Sequence, residues 1–326
     1  MARIAVIGAG AWGTALAAQA VRAGSQAVLW ARDPARAAAI MEARENARYL
    51  PGIALPAALR VTADADAALA GAALVLLVVP TQGLRATLAA LPATTAPLLV
   101  CAKGVEGGTH RLLLEVVAEV KPGAVAGVLT GPNFAHEVAR GLPAAAVVAA
   151  ADAGLRAQAL DLLSGPVFRL YGNEDVIGVQ VGGAAKNVIA IAAGAVIGAG
   201  LGENARAAMV TRGLAELARL TVALGGRAET ASGLSGLGDL ILTTAGASSR
   251  NMSLGLALGR GVPLATVLAG RAGVTEGVAT APALVARAHA AKVELPVCEA
   301  VADLLEGRLT MPEAIARLMS RPLRHE

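Results

Sequence analysis

The chain has 326 residues, of which 56% are apolar, 2% aromatic and 16% charged, with 38 glycines; an average protein has about 25% charged residues. So much apolar material excludes disorder, because a large core can be buried, and the length suits two domains of ordinary size. Net charge is +4, from 28 basic and 24 acidic residues; these are scattered and come with few aromatics, which argues against a nucleic-acid surface and for a small anionic ligand.

In chain order, Ile4–Gly8 reads as a short strand, Gly13–Ala23 as a helix and Ala27–Ala31 as a second strand. Asp33-Pro34 supplies an N-cap followed by proline at the first helical position, opening a helix toward Arg44. Further strands are expected at Ala73–Val79, Leu98–Ala102, Val125–Thr130, Ala144–Ala149 and Val167–Tyr171, with helices near Leu84–Ala90, Thr109–Val120 and Leu155–Leu163. Apolar strands alternating with helices imply a mainly parallel sheet covered on both faces. From about Asp175 the periodicity is helical, beginning with the alanine- and glycine-rich segment Val176–Ala199. The expected fold is therefore α/β, with a sheet domain over residues 1–175 and an all-α domain over 176–326.

Mean hydropathy is +0.61, which raises the question of a membrane. The longest charge-free stretches, Ile4–Val21 and Ala67–Leu84, sit at the lower limit for a spanning helix and are interrupted by glycines or by Pro80-Thr81-Gln82. No span is expected. Arg3, an apolar run and Ala18-Gln19-Ala20 imitate a secretory signal, but cleavage there would remove the most informative glycine cluster. Cys101 and Cys298 are far apart and suit a reducing compartment, so a cytoplasmic protein with two buried thiols is expected. No metal site is expected.

Gly8-Ala9-Gly10-Ala11-Trp12-Gly13 follows the first strand and opens the first helix. Gly8 permits the tight turn, Gly10 lets backbone approach a pyrophosphate, and Gly13 lets helix and strand pack closely; the helix N-terminus then faces the negative charge. A Rossmann-like, dinucleotide-binding domain is expected. At the end of the second strand Asp33 has its own use as a helix cap, and Arg32 could pair with a 2′-phosphate, so the cofactor is NADP or NAD, with NADPH favoured. Two alternatives stay open: Asp33 rotating to the ribose, and Arg32 merely solvated.

Only four of the 28 basic residues are lysine: Lys103, Lys121, Lys186 and Lys292. Where arginine serves for plain positive charge, a surviving lysine points to a compact or titratable amine. Lys103 ends an apolar strand, at the sheet edge where ligands bind, or else snorkels from a loop. Lys186 is the only charge between Asp175 and Glu203, flanked by Gly182-Gly183-Ala184-Ala185 and Asn187. Burying that ammonium is costly; a proton-exchanging base would justify it, and the alternative is a tip reaching solvent. Gly236-Leu237-Gly238-Asp239-Leu240 precedes Ser249-Arg250-Asn251, a trio suited to a phosphate or, equally, to a capped helix with an exposed arginine.

Taken together, Gly8–Ala15 (GAGAWGTA), Leu29–Pro34 (LWARDP), Tyr49–Pro56 (YLPGIALP), Ala102–Glu106 (AKGVE), Gly131–Glu137 (GPNFAHE), Ala185–Gly194 (AKNVIAIAAG), Gly236–Thr243 (GLGDLILT), Ser249–Asn251, Thr275–Ala281 (TEGVATA) and Val293–Pro296 (VELP) resemble the bacterial NAD(P)-dependent glycerol-3-phosphate dehydrogenases. The resemblance runs from residue 8 to residue 296. It implies an oxidoreductase that interconverts sn-glycerol 3-phosphate and dihydroxyacetone phosphate for phospholipid synthesis. It makes Lys186 the proton acceptor and has Lys103 contact both substrate and cofactor. Gly131, Asn133, Asp239, Ser249, Arg250 and Asn251 match the substrate positions. Trp12, Arg32, Tyr49, Ala135, Val274 and Glu276, with Arg250, match the cofactor positions. Asn133 departs from the family's usual serine or threonine, and Thr243-Thr244 replaces a more usual Thr-Cys. On this reading Lys186 has its pKa moved from ~10.4 toward ~7–8 by desolvation and by Lys103, while Asp239 orients the amine. The apolar helical domain points to a homodimer.

Overall fold

The computed structural model describes residues 2–246, 248–271 and 273–320. The alternating half forms β1 (Arg3–Ile7), α1 (Ala11–Arg22), β2 (Gln26–Trp30), α2 (Pro34–Ala43), β3 (Arg60–Thr62), α3 (Ala65–Leu69), β4 (Leu74–Leu77), α4 (Leu84–Ala90), β5 (Leu98–Val100), α5 (Leu113–Val120), β6 (Ala126–Thr130), α6 (Ala135–Arg140), β7 (Ala144–Ala150), α7 (Ala153–Leu163) and β8 (Phe168–Asn173). Its eight strands make one sheet in the order β3-β2-β1-β4-β5-β6-β7-β8. The β6–β7 pair is antiparallel and the others are parallel. Every residue of β4 and β5 is buried, as expected of continuous apolar runs covered on both faces.

Several boundaries differ from the sequence expectation. The first strand ends at Ile7, because Gly8 turns the chain with φ +118°, and α1 starts two residues before Gly13. The helix expected over Thr109–Val120 begins only at Leu113; ahead of it Val105 and Leu112 pair as an isolated bridge. The short elements β3, α3 and α6 were not anticipated.

The chain divides into two units: one runs to Ala102 and resumes over Leu113–Val179, the other takes Lys103–Leu112 and the chain from Gln180 onward. The helices that follow the sheet are α8 (Val176–Gly198), α9 (Gly202–Ala223), α10 (Ala228–Ala231), α11 (Asp239–Thr244), α12 (Arg250–Gly259), α13 (Leu264–Ala269), α14 (Glu276–Ala290), α15 (Pro296–Leu305) and α16 (Met311–Met319). A π-helical turn over Leu234–Gly238 leads into α11. Among the described residues after Asn173 there is no strand.

Helix α8, rather than either N-terminal stretch, is long and apolar enough to cross a membrane; its most apolar window is 89% buried inside the protein. Its small residues let α12 lie backbone to backbone against it. A Cβ on Gly194 would fall 2.1 Å from the Met252 carbonyl oxygen, and one on Gly255 would fall 1.9 Å from that of Ile191. Nothing larger fits, and the close crossing brings the first turn of α12 beside Asn187 of α8.

Candidate active site

In the sheet unit, a Cβ on Gly13 would lie 1.9 Å from the Gly8 carbonyl oxygen, so strand and helix can meet only through glycine. Gly10 is different. Its backbone is ordinary (φ −75°), and an added Cβ would meet nothing within 4 Å. The protein's own packing does not require glycine there. What the missing side chain leaves is open approach to the N-terminus of α1, which has no side-chain cap. The Trp12 indole Nε1 is buried beside it without a hydrogen-bond partner. An anionic dinucleotide fits these residues.

The parallel strands place their carboxyl ends on one edge of the sheet. Gly8 follows β1 there, Arg32 follows β2, and Gly131 and Asn133 follow β6, with Ala135 opening α6. Arg32 is exposed. Asp33 is spent as the cap of α2, accepting from the Ala35 N–H at 3.0 Å and the Arg36 N–H at 3.4 Å. Asn133 donates through Nδ2 to the Ala145 carbonyl at 3.1 Å, while its Oδ1 is buried and unpartnered. Tyr49 lies beneath the Arg36 guanidinium, 4.4 Å from ring centroid to Cζ.

In the helical unit, Gly182 lets the π-helical turn press onto α8: an added Cβ would meet the Ser235 carbonyl oxygen at 2.7 Å. One helical turn further along α8 is Lys186, and one residue past the π turn is Asp239. The Asp239 carboxylate, 1% exposed, takes Lys103 Nζ on one oxygen at 2.6 Å and Lys186 Nζ on the other at 3.1 Å. Lys186 also donates to Thr243 Oγ1 at 2.9 Å, and Thr243 donates to the Asp239 carbonyl at 2.6 Å. One negative charge is thus set between two buried or half-buried ammonium groups. Burial drives the Lys186 pKa down and Lys103 pushes the same way; against the pull of Asp239 it settles at about 8. Asp239 is held below the usual carboxylate range, because the two lysines together outweigh the burial that would raise it. A buried amine that exchanges its proton near neutral pH is the chemical capacity of this cluster.

Ser249 caps α12 by accepting from the Met252 N–H at 3.2 Å, and Arg250 is exposed, close enough to Gly273 that an added Cβ there would meet its Nη1 at 2.6 Å. Of the two sequence alternatives for this trio, the structure describes the capped helix with an exposed arginine. Asn251 is buried and engaged at both ends, donating to Asn187 Oδ1 at 2.8 Å and accepting from the Gly277 N–H at 3.0 Å. Asn187 in turn donates to the Lys103 carbonyl at 3.4 Å. Val274 is exposed and Glu276 opens α14.

The sequence model described as the NAD-dependent glycerol-3-phosphate dehydrogenase N-terminus matches residues 3–156, and the one described as its C-terminus matches residues 175–316. The chain belongs to that family. Similar relatives include the glycerol-3-phosphate dehydrogenase [NAD(P)+] of Acidiphilium cryptum, 57% identical over 99% of this chain and 98% of its own length. The enzyme of the same name from Bradyrhizobium sp. is 56% identical over the same shares. The crystal structure of glycerol-3-phosphate dehydrogenase from Coxiella burnetii superposes with a TM-score of 0.93 at 36% identity, covering 98% of this chain and 99% of that one.

Members of this oxidoreductase family are thus matched at both units. The structure brings Lys103, Lys186 and Asp239 into one cluster and Asn251 beside it, all within the helical unit. Gly8, Gly10, Trp12, Gly13, Arg32, Tyr49, Gly131, Asn133 and Ala135 belong to the sheet unit. Sequence reasoning assigned no positioning role to Asn187 or Thr243. The usable signals were adjacency to Lys186 and the four-residue spacing from Asp239, which stacks both on one helix face.

Proposed function

We propose that this chain interconverts sn-glycerol 3-phosphate and dihydroxyacetone phosphate with NADP(H) or NAD(H), supplying glycerol 3-phosphate for phospholipid synthesis. The name its relatives carry, glycerol-3-phosphate dehydrogenase [NAD(P)+], supports the substrate, and the Lys103–Asp239–Lys186 cluster carries the chemistry. On this proposal the sheet unit holds the dinucleotide through Gly8, Gly10, Trp12 and Gly13, with Arg32, Tyr49 and Ala135. The helical unit supplies the proton-exchanging cluster and the groups that hold the substrate phosphate.

The bound nicotinamide supplies a carrier for the hydride exchanged with substrate C2. Lys186, neutral, accepts the proton of the C2 hydroxyl in oxidation; protonated, it returns that proton to the forming alkoxide in reduction. Asp239 orients the amine, Lys103 adds positive charge near the oxygen, and Thr243 fixes the amine's rotation. Such acid–base help is worth roughly 10²–10⁴ in rate, the remainder coming from positioning. Ser249 and the Arg250 guanidinium at the N-terminus of α12 hold the phosphate, and Asn251 acts mainly by fixing Asn187. Gly131 and Asn133 are further substrate contacts; the unspent Asn133 Oδ1 supports a ligand there. Val274 and Glu276 lie on the segment assigned to the cofactor.

The proposal extends to a cytoplasmic homodimer, supported by the exposed apolar side chains Leu201, Val222 and Ile241 of the helical unit. The deciding experiment follows absorbance at 340 nm with dihydroxyacetone phosphate and either NADPH or NADH. Oxidation of one or both is expected. No turnover with either, by folded protein, would remove the proposal.

A further inference from the structure

Residues between α13 and α14 hold Arg250, the first residue of α12, at both of its ends. Arg271 donates through Nη1 to the Arg250 carbonyl oxygen at 2.6 Å and through Nη2 to Ser253 Oγ at 2.9 Å. Ser253 Oγ donates to that same carbonyl at 3.2 Å. Arg271 Nη1 also reaches Oγ1 of Thr275, the residue before α14, at 3.5 Å. At the other end of Arg250, a Cβ added to Gly273 would meet Nη1 at 2.6 Å, so any side chain at 273 would displace the guanidinium.

The start of a helix needs none of this, because Ser249 already caps α12 through the Met252 N–H. Nor is the arrangement cheap. Arg271 is half-buried, and both its burial and the charge of Arg250 lower its pKa. Two guanidinium groups are thus kept near one another, one of them with its fork turned onto a carbonyl and a hydroxyl. That planar fork meets two acceptors at once in a fixed geometry, which a lysine does not reproduce. What the arrangement supplies is a fixed Arg250. An exposed arginine gives up much rotamer freedom when it takes a ligand, and one already fixed gives up less.

We propose that Arg271 is a positioning residue: it clamps the backbone of Arg250 and the run past Gly273, so that the Arg250 guanidinium is aimed before a phosphorylated substrate arrives. The inference rests on the reading of Arg250 as a phosphate ligand. It adds a residue that acts through Arg250 rather than on the substrate.

Steady-state kinetics of the whole enzyme with dihydroxyacetone phosphate test it, for Arg271→Met and Arg271→Lys, each with Arg250 intact and with Arg250→Ala. With Arg250 intact, Arg271→Met is expected to raise KM about 10-fold while kcat stays within about 3-fold of wild type. Arg271→Lys, which keeps the charge and one donor, is expected to raise KM about 3-fold. In the Arg250→Ala background either replacement is expected to change KM less than about 2-fold, because nothing remains to aim. A merely structural role would lower kcat as well, or would add its full loss to that of Arg250→Ala. Either result, or a wild-type KM in both single variants, overturns the inference while leaving the phosphate reading intact. Should Arg271→Met not fold, Arg271→Lys with and without Arg250 decides on the same terms. A wild-type enzyme that does not turn over dihydroxyacetone phosphate, or an Arg250→Ala enzyme with wild-type KM, overturns both the inference and the reading beneath it.

Discussion

Lys186 and Asp239 meet at 3.1 Å, and the same carboxylate holds Lys103 at 2.6 Å, leaving one surplus positive charge in a buried cluster. The cheapest relief is for the more buried amine to give up its proton, which is the direction in which Lys186 is driven. Asp239 is the group that keeps a proton on Lys186 at all. In Asp239→Asn that attraction is gone while burial and Lys103 remain. The acid limb of the oxidation rate should therefore move at least one pH unit lower. Turnover should fall about 100-fold, because the amine has lost its anchor. A pH series of initial rates on the variant checks both.

Thr243→Val keeps the shape of the side chain and removes the acceptor that Lys186 uses at 2.9 Å. An unsatisfied buried donor costs roughly 1–3 kcal/mol, here felt as a misdirected amine. The expected result is a fall in kcat of about 10-fold with KM nearly unchanged and little change in thermal midpoint. A rise in KM alone would assign Thr243 to substrate binding instead.

Arg250 is exposed at the start of α12. Arg250→Ala should raise KM for phosphorylated substrate by roughly 10- to 100-fold, the loss of a charge-assisted contact worth about 1.5–3 kcal/mol. Turnover of unphosphorylated glycerol, however slow, should change little. Equal losses for both would take the phosphate away from Arg250.

Away from this cluster, Glu216 of α9 is buried and accepts from the Val297 N–H at 2.7 Å and the Cys298 N–H at 3.2 Å, capping α15 from another helix. Burial raises its pKa from 4.5 to about 7, against the two backbone donors that lower it. Between those values the folded chain binds a proton that the unfolded chain does not. Stability from this group is therefore full below about pH 4.5 and lost as pH rises through about 7, a change of roughly 3 kcal/mol. Thermal midpoints of wild type should fall between pH 5 and pH 8 more steeply than those of Glu216→Gln. Parallel profiles would contradict this.

The larger features were legible because they obey simple periods. The β1–α1 unit announces itself through Gly8, Gly10 and Gly13, and the lone charge of Lys186 stands out in a long apolar helix. The rest depends on distance along the chain. Lys103 and Asp239 are 136 residues apart, and nothing local says that residues 103–112 leave the sheet unit to join the helices. Elements as short as β3 and α6 carry too few residues for a period to emerge. Asn251 reads as a ligand group in isolation; only the α8–α12 crossing shows its amide already engaged at both ends.

The central claim is that Lys186 exchanges a proton with the substrate oxygen, and single-turnover hydride transfer at 340 nm, followed in both directions across pH 6 to 10 with saturating substrates, tests it most directly. The oxidation of glycerol 3-phosphate should quicken as pH rises through about 8, where the amine becomes neutral. The reduction of dihydroxyacetone phosphate should slow over the same range, and both slopes should vanish in Lys186→Met along with most of the rate. Rates that move in the same direction with pH, or a Lys186→Met enzyme with near-normal turnover, would contradict the account.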